Sequence, residues 1–317
     1  MSRKVLLSLF APTLLTILVT AADAQQKTPA SAPKTAAPKT AVSSASKTPA
    51  ASAEKAVPKL TAAQVVEKNV AARGGLQAWR AIQTMTWKGK MDAGAGDSLE
   101  RSRRVALGHM APTSRREFEA MTAANKTEAK QVQLPYELDL KRPQKSRLEI
   151  VFAGKTAVQV YDGENGWKVR PYLNRNDVEP FTAEELKSEQ TQVDLDGYLI
   201  DYAAKGTKVE LEGVEPVEGR QAYKLKATLK NGQIQRVWVD AESFLDVKVS
   251  GAPRRMDGKM RDVFVYQRDF RVVQGVKIPF VLETAVDGYR DTHKNELESV
   301  VVNPKLDDAL FAKPQAK

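Results

Sequence analysis

Between Leu138 and Tyr172 apolar and polar residues alternate in short runs separated by turn signals. Leu148, Ile150 and Phe152 recur at every second position with Glu149 turned the other way, the pattern of a strand buried on one face. Gly154-Lys155 marks a turn and Thr156 to Tyr161 a second strand. The run Asp162-Gly163-Glu164-Asn165-Gly166 then supplies a tight reversal into a third strand, Trp167 to Tyr172, ended by Pro171. The stretch predicts a β-meander with one apolar face.

The same period returns after Thr207. Val209 and Leu211 alternate with charged neighbours, and Tyr223, Leu225, Ala227 and Leu229 alternate with Lys224, Lys226 and Thr228 before an Asn231-Gly232 hairpin signal. Further strands are expected at Gln233 to Val239, Phe244 to Val249, Arg261 to Val272, Lys277 to Val286 and Asp291 to Val302. Pro279 places its strand at a sheet edge or starts it past the proline. Upstream, Thr84 to Met91 makes a strand containing Trp87, and residues 98–131 read as two strands with a mobile loop at Met121 to Glu128.

A helical period appears in four places. Thr61-Ala62-Ala63-Gln64 fits a capping box ahead of Val65, Val66 and Val70, with Gly74-Gly75 as the stop. Leu76, Trp79 and Ile82 mark a second short helix. Thr182-Ala183-Glu184-Glu185 is another capping box, and Asp194 to Ala204 carries Leu195, Tyr198, Leu199 and Tyr202 at helical spacing up to Gly206.

Two groups of residues carry a family resemblance. Leu140-Lys141-Arg142-Pro143, Arg147-Leu148-Glu149 and Tyr161-Asp162-Gly163 with Trp167, together with the tail Asn303-Pro304-Lys305-Leu306-Asp307-Asp308-Ala309-Leu310-Phe311, resemble the outer-membrane lipoprotein-sorting proteins, the LolA/LolB-like periplasmic carriers. The resemblance implies an α+β, mainly β fold: a curved antiparallel unclosed half-barrel whose concave face is lidded by helices and holds acyl chains. Leu148, Ile150, Phe152, Val158, Val160, Leu225 and Leu229 are then the expected cavity residues, with Trp79, Leu199 and Tyr202 on the lids. Each also reads as ordinary core. The implied partners are lipoprotein acyl chains or lipid, and membrane-bound sorting components, met by a monomer. A periplasmic sensor of envelope stress, with the ligand as signal, is the alternative on the same fold.

The N-terminus agrees with export. Arg3 and Lys4 precede an apolar run from Val5 to Val19, and Ala22-Asp23-Ala24 fits a cleavage site, so residues 1–24 read as a signal peptide. Residues 25–59, rich in Ala, Pro, Ser, Thr and Lys, cannot bury enough apolar surface to fold and read as a linker. That linker spans about 30 Å as a coil and about 100 Å extended. Residues 60–317 form the expected ligand-binding domain. The chain has no cysteine, which excludes a disulfide framework and an acylated N-terminal cysteine.

The net charge of +10 shrinks once apportioned: residues 1–24 carry +1 and residues 25–59 carry +5, leaving +4 for the rest. Without basic runs interleaved with aromatics, nucleic acid is set aside as a partner. The arginines at 101, 103, 104, 115 and 116 read as a solvated face or as a receiver for a lipid head group. His109 and His293 are the only histidines, and no nucleophile elbow, phosphate loop or metal motif is present. The chain is therefore expected to bind rather than catalyse, with no cofactor and no metal; a secreted hydrolase using a carboxylate pair is a lesser alternative.

Overall fold

The structure, a computed structural model, describes residues 6–9, 17–20, 57–92, 133–171, 175–192, 195–256 and 258–315. Strands β1 (Leu6–Leu9) and β2 (Ile17–Thr20) pair as a separate antiparallel ribbon. Helix α1 (Ala62–Ala72) begins at the expected capping box: Gln64 N donates to Thr61 Oγ1 at 3.3 Å, and Thr61 N donates to Gln64 Oε1 at 2.9 Å. Its buried face is Val65, Val66 and Asn69. Gly74 and Gly75 end it with φ of 111° and 89°, values open to glycine and strained for other residues. Helix α2 (Leu76–Arg80) follows and buries Trp79.

The chain then builds one antiparallel sheet. Strands β3 (Thr84–Asp92), β4 (Gln133–Lys141), β5 (Lys145–Phe152), β6 (Lys155–Tyr161), β7 (Gly166–Arg170) and β8 (Arg175–Pro180) run outward in sequence order. Helix α3 (Ala183–Gln192) and a run of turns over residues 195–206 lead to the opposite edge. From there β9 (Lys208–Val217), β10 (Arg220–Thr228), β11 (Ile234–Asp240) and β12 (Asp246–Ser250) work back inward. A small hairpin, β13 (Arg254–Met256) and β14 (Lys259–Arg261), interrupts before β15 (Val263–Val273), β16 (Val276–Val286) and β17 (Thr292–Val302). Strand β17 pairs with β3 and joins the two halves into 13 strands ordered β8-β7-β6-β5-β4-β3-β17-β16-β15-β12-β11-β10-β9. The sheet is curved and does not close, since β8 and β9 are its two edges.

One face of this sheet, here called inner, packs against α1, α2 and residues 195–206. Val65, Val66, Trp79 and Leu199 share a core with Met85, Leu138, Leu148, Leu225 and Val237. Fully burying such a side chain contributes about 1.5–3 kcal/mol, so this contact is the main stabilising layer. Gly89 is required by the joint: a bulge in β17 between Leu297 and Ser299 brings Glu296 O to within 2.2 Å of where a Cβ would stand.

Several expectations need correction. Residues 195–206 form successive turns, because Gly197 and Asp201 take φ of 80° and 53° and interrupt any helical run. Strand β16 passes through Pro279 in the sheet interior. That is tolerated because β17 pairs only with Val281 to Ala285, so at Pro279 the strand has a ladder partner, Phe270, on one side alone. Strand β8 and the β13–β14 hairpin were not anticipated. The strands expected within residues 98–131, and the linker through residue 56, lie outside the described residues. Among the described residues no helix is long and apolar enough to cross a membrane.

Candidate functional site

Strand register decides which residues share the inner face. On β4, Leu134, Tyr136, Leu138 and Leu140 face inward, and across from them on β5 stand Ile150, Leu148 and Ser146. Strand β3 adds Met85, Trp87 and Met91; β17 adds Asn295, Leu297 and Val302; β16 adds Ile278, Phe280 and Leu282. The result is a broad apolar surface on adjacent strands.

Three polar atoms interrupt it. Trp87 Nε1, Tyr136 Oη and Asn295 Oδ1, on the neighbouring strands β3, β4 and β17, are buried and have no hydrogen-bond partner among the described residues. A buried polar group left unpaired costs about 1–3 kcal/mol, so three on one apolar surface form a substantial uncompensated penalty. Burial pushes the Tyr136 phenol far above its usual range, so it stays protonated and able to donate.

Towards the β7 edge the inner face turns polar. Ser146, Gln159, Tyr161, Lys168 and Arg170 face inward there, and α3 lies on them. Lys168 Nζ ion-pairs with Glu185, and Ser146 Oγ donates to Glu189 Oε1 at 2.9 Å. Burial, with Glu185 nearby, raises the Glu189 carboxyl to about 7 against the pull of the Ser146 hydrogen bond. The capping box expected at Thr182 is present: Glu185 N donates to Thr182 Oγ1 at 3.2 Å, and Thr182 N donates to Glu185 Oε2 at 2.7 Å.

The turns over 195–206 are held over the inner face by basic side chains. Asp196 accepts from Arg142 Nη2 at 2.7 Å and ion-pairs with Lys205, while its carbonyl accepts from Arg73 Nη1 at 3.0 Å. Asp201 receives a two-pronged contact from Arg80, at 2.7 and 2.8 Å. Asp246, on β12, accepts from Asn69 at 2.7 Å and pairs with Arg73 at 3.2 Å; burial pushes its carboxyl up and these partners oppose the rise.

The cavity residues expected from sequence fall into separate groups. Leu148, Ile150 and Leu225 lie on the inner face, buried in the core, and Leu229 packs against it just past β10. Phe152 stands at the end of β5 beside the turn and is 39% exposed. Val158 and Val160 pair with Glu149 and Arg147, so they point to the outer face and do not join the inner surface. The inward residues of β6 are Ala157, Gln159 and Tyr161 instead, polar because α3 brings carboxylates against that zone. Of the lid residues, Trp79 donates through Nε1 to Arg73 O at 3.0 Å, Leu199 is fully buried and Tyr202 is partly buried against the core. Trp87 was legible as part of a strand but not as an unpaired group, Tyr136 lies just ahead of the alternating stretch read from Leu138, and nothing local distinguishes Glu189.

The resemblance motifs serve as ties. Lys141 Nζ donates to Leu306 O at 2.9 Å, Lys145 pairs with Asp308 at 2.7 Å and Arg147 Nη1 donates to Leu310 O at 3.1 Å, which lays the C-terminal 3-10 turn, Asp308–Phe311, across the outer face. A cleft of about 660 Å3 opens away from the apolar surface, lined by Glu184 and Lys187 of α3 and by Glu212, Glu215, Lys224, Arg236 and Lys248 among others. Its charges balance and select no ligand of one sign. Beside it Lys248 Nζ lies 4.4 and 4.0 Å from the ring centroids of Trp238 and Phe264, so aromatic faces already occupy that cation.

Comparison with solved structures gives distant matches. A LolA superfamily protein from Nitrosomonas europaea aligns at 13% identity and a TM-score of 0.48, covering 80% of this chain and 99% of its own. The chain is similar in structure to such proteins. A DUF1329 family protein from Desulfovibrio piger aligns at 14% identity and 0.48, covering 80% and 97%. An outer-membrane lipoprotein-sorting protein domain from Vibrio parahaemolyticus aligns at 10% identity and 0.45, covering 79% and 95%. No family model and no curated protein sequence matches. Among the described residues no group of three or more His, Asp or Glu is placed to hold a metal ion.

Proposed function

We propose that this chain is a periplasmic carrier that binds lipoprotein acyl chains or lipids on the inner face of its open sheet. One observation carries the reading: the broad apolar inner surface holds three buried polar atoms, Trp87 Nε1, Tyr136 Oη and Asn295 Oδ1, that have no hydrogen-bond partner among the described residues. Ligand sites have this composition, a mostly apolar wall with a few polar groups that fix orientation. The two donors suit the carbonyl oxygen of an acyl ester or amide, and the acceptor suits an amide N–H. Each enclosed methylene contributes about 0.8 kcal/mol, so the apolar rows supply affinity and the polar groups supply register.

In the described state the inner side chains are packed against α1, α2 and residues 195–206, so loading requires these covers to move. Their attachments differ in strength: Asp196 is held by buried ion pairs to Arg142 and Lys205. Asp201 with Arg80 is an exposed ion pair, and such pairs contribute about 0–1 kcal/mol. Export through the N-terminal segment and action as a monomer complete the proposal, and no catalytic step is part of it.

The test is mass spectrometry of organic extracts from the full chain, purified from a periplasm without detergent, with uptake of a fluorescent palmitoyl probe measured alongside. Stoichiometric lipid, displaced by the probe, is the expected result. Absence of both lipid and uptake overturns the carrier reading.

A further inference from the structure

We propose that Lys168 and Arg170, on the inner face of β7, form a binding site for an anionic group at the head of the acyl ligand, and that Glu185 of α3 occupies this site until the ligand displaces it. The inference rests on the acyl-binding reading above and adds the class of head group: phosphate or carboxylate.

The sheet places this site where a head group belongs. Leu148 and Ile150 continue the apolar rows on β5, and two strands further on the inward positions of β7 become Gly166, Lys168 and Arg170. Apolar and cationic zones thus adjoin on one surface, matching a ligand with a greasy tail and a charged end. Both cations are withdrawn from water, with side chains 8% and 4% exposed. Burying a cation is costly unless carboxylates answer it, and here Glu185 answers Lys168 while Glu179 of β8 answers Arg170. The answer is incomplete: Arg170 Nε is buried and has no acceptor among the described residues. A guanidinium presents its donors as a planar fork that phosphate and carboxylate oxygens fit in pairs, and one donor of this fork is unused.

Helix α3 is built to be displaced. Over Ala183–Gln192 its sequence has one large apolar residue, Leu186, partly buried against the core, and Glu185 and Glu189 make its polar contacts with β7 and β5. A helix with so little apolar area lies among the least strongly held parts of a fold. Its root is fixed: Phe181 N donates to Gly166 O at 2.8 Å, and the Phe181 ring covers Gly166 so closely that a Cβ there would meet it at 1.9 Å. The helix can therefore leave while its base stays. An incoming anion replaces the Glu185 carboxylate on Lys168 and fills the free donor of Arg170.

The experiment uses the full chain and two lipids with identical acyl chains, phosphatidic acid and diacylglycerol, each competing with the palmitoyl probe, and inorganic phosphate as a separate competitor. Phosphatidic acid is expected to bind at least tenfold more tightly than diacylglycerol. Lys168→Met is expected to remove that preference. Glu185→Gln, which takes away the internal competitor, strengthens phosphatidic acid binding several-fold and tests the idea even if Lys168→Met does not fold. Phosphate displacing phosphatidic acid also supports the site and assigns it to the free anion as well as the head group. Equal affinity for the two lipids overturns the anion site and leaves the apolar face intact, whereas failure of both to bind overturns the carrier reading itself.

Discussion

Arg142 Nη2 stands 2.7 Å from Asp196 Oδ2, and through that contact the end of β4 holds the turns that cover the inner face. Arg142 also donates through Nε to Ile82 O at 2.8 Å, so one guanidinium joins the exit of α2, the sheet and the cover. The Asp196 side chain is 3% exposed and keeps Lys205 as a second cationic partner when Arg142 is removed. Arg142→Ala is therefore expected to destabilise the protein in urea unfolding by less than the roughly 3 kcal/mol that a fully stranded buried carboxylate costs. It should also speed proteolysis within residues 195–206. Arg142→Lys should recover only part, because an ammonium cannot reach Ile82 O and Asp196 as a fork does.

Legibility in the sequence followed the range of the interactions involved. The start of α1 was readable because Thr61 and Gln64 cap each other within a single turn. Strands such as β10 were readable because one wall is apolar and the other wet, which prints the period directly. On β6 the same inference failed. Val158 and Val160 are the apolar members of the alternation, yet the inner side there is polar, since Lys168 and α3 face it from elsewhere in the chain. A period shows that two faces differ and does not say which is inside. Residues 195–206 carried helical spacing, but Asp196 and Asp201 are fixed by arginines distant in sequence, and Gly197 breaks the run. Leu148, Ile150 and Leu225 were placed inside by pattern; the unpaired Tyr136, Trp87 and Asn295 became visible only when partners could be sought in space.

Glu189 makes stability depend on pH. Its carboxyl is raised to about 7 by burial, with Glu185 adding to the rise and Ser146 opposing it; Lys168 and Tyr161 are the other titratable groups in that compartment. A raised acid favours the folded state in its neutral form. Its contribution is therefore complete below the unfolded carboxyl range, near pH 4.3, and is lost as pH rises through 7. The loss is on the order of 3 kcal/mol. Glu189→Gln keeps a group able to bond Ser146 and cannot ionise. Urea unfolding from pH 5 to 8 should show stability falling in the parent and a much flatter profile in the variant.

Gly74 and Gly75 separate two reasons for a glycine. Both have positive φ, which costs another residue about 1–3 kcal/mol. At Gly75 a Cβ would meet nothing within 4 Å, so Gly75→Ala should cost only that. At Gly74 a Cβ would stand 2.2 Å from Gly275 O in the β15–β16 turn, where Lys277 N also donates to Arg73 O at 2.9 Å. Backbone cannot yield as a side chain tip can. Gly74→Ala should lower the midpoint of thermal unfolding by clearly more than Gly75→Ala, and equal shifts would mean that the turn moves freely.

Tyr136→Phe distinguishes a site from a core. Removing a hydroxyl that has a partner usually destabilises; here Tyr136 Oη is buried and has none among the described residues, so the variant discards a desolvation penalty of about 1–3 kcal/mol and leaves the ring in place. Free protein should become more stable, by about 1 kcal/mol or more. If the hydroxyl serves an acyl ester, the same change should weaken palmitoyl-probe binding several-fold, giving a variant that is more stable and binds less well. Gained stability with unchanged binding would place the ligand elsewhere on the inner face. Opposite movements of stability and affinity arise where a polar group is kept unpaired for a ligand, and an ordinary core position does not produce them.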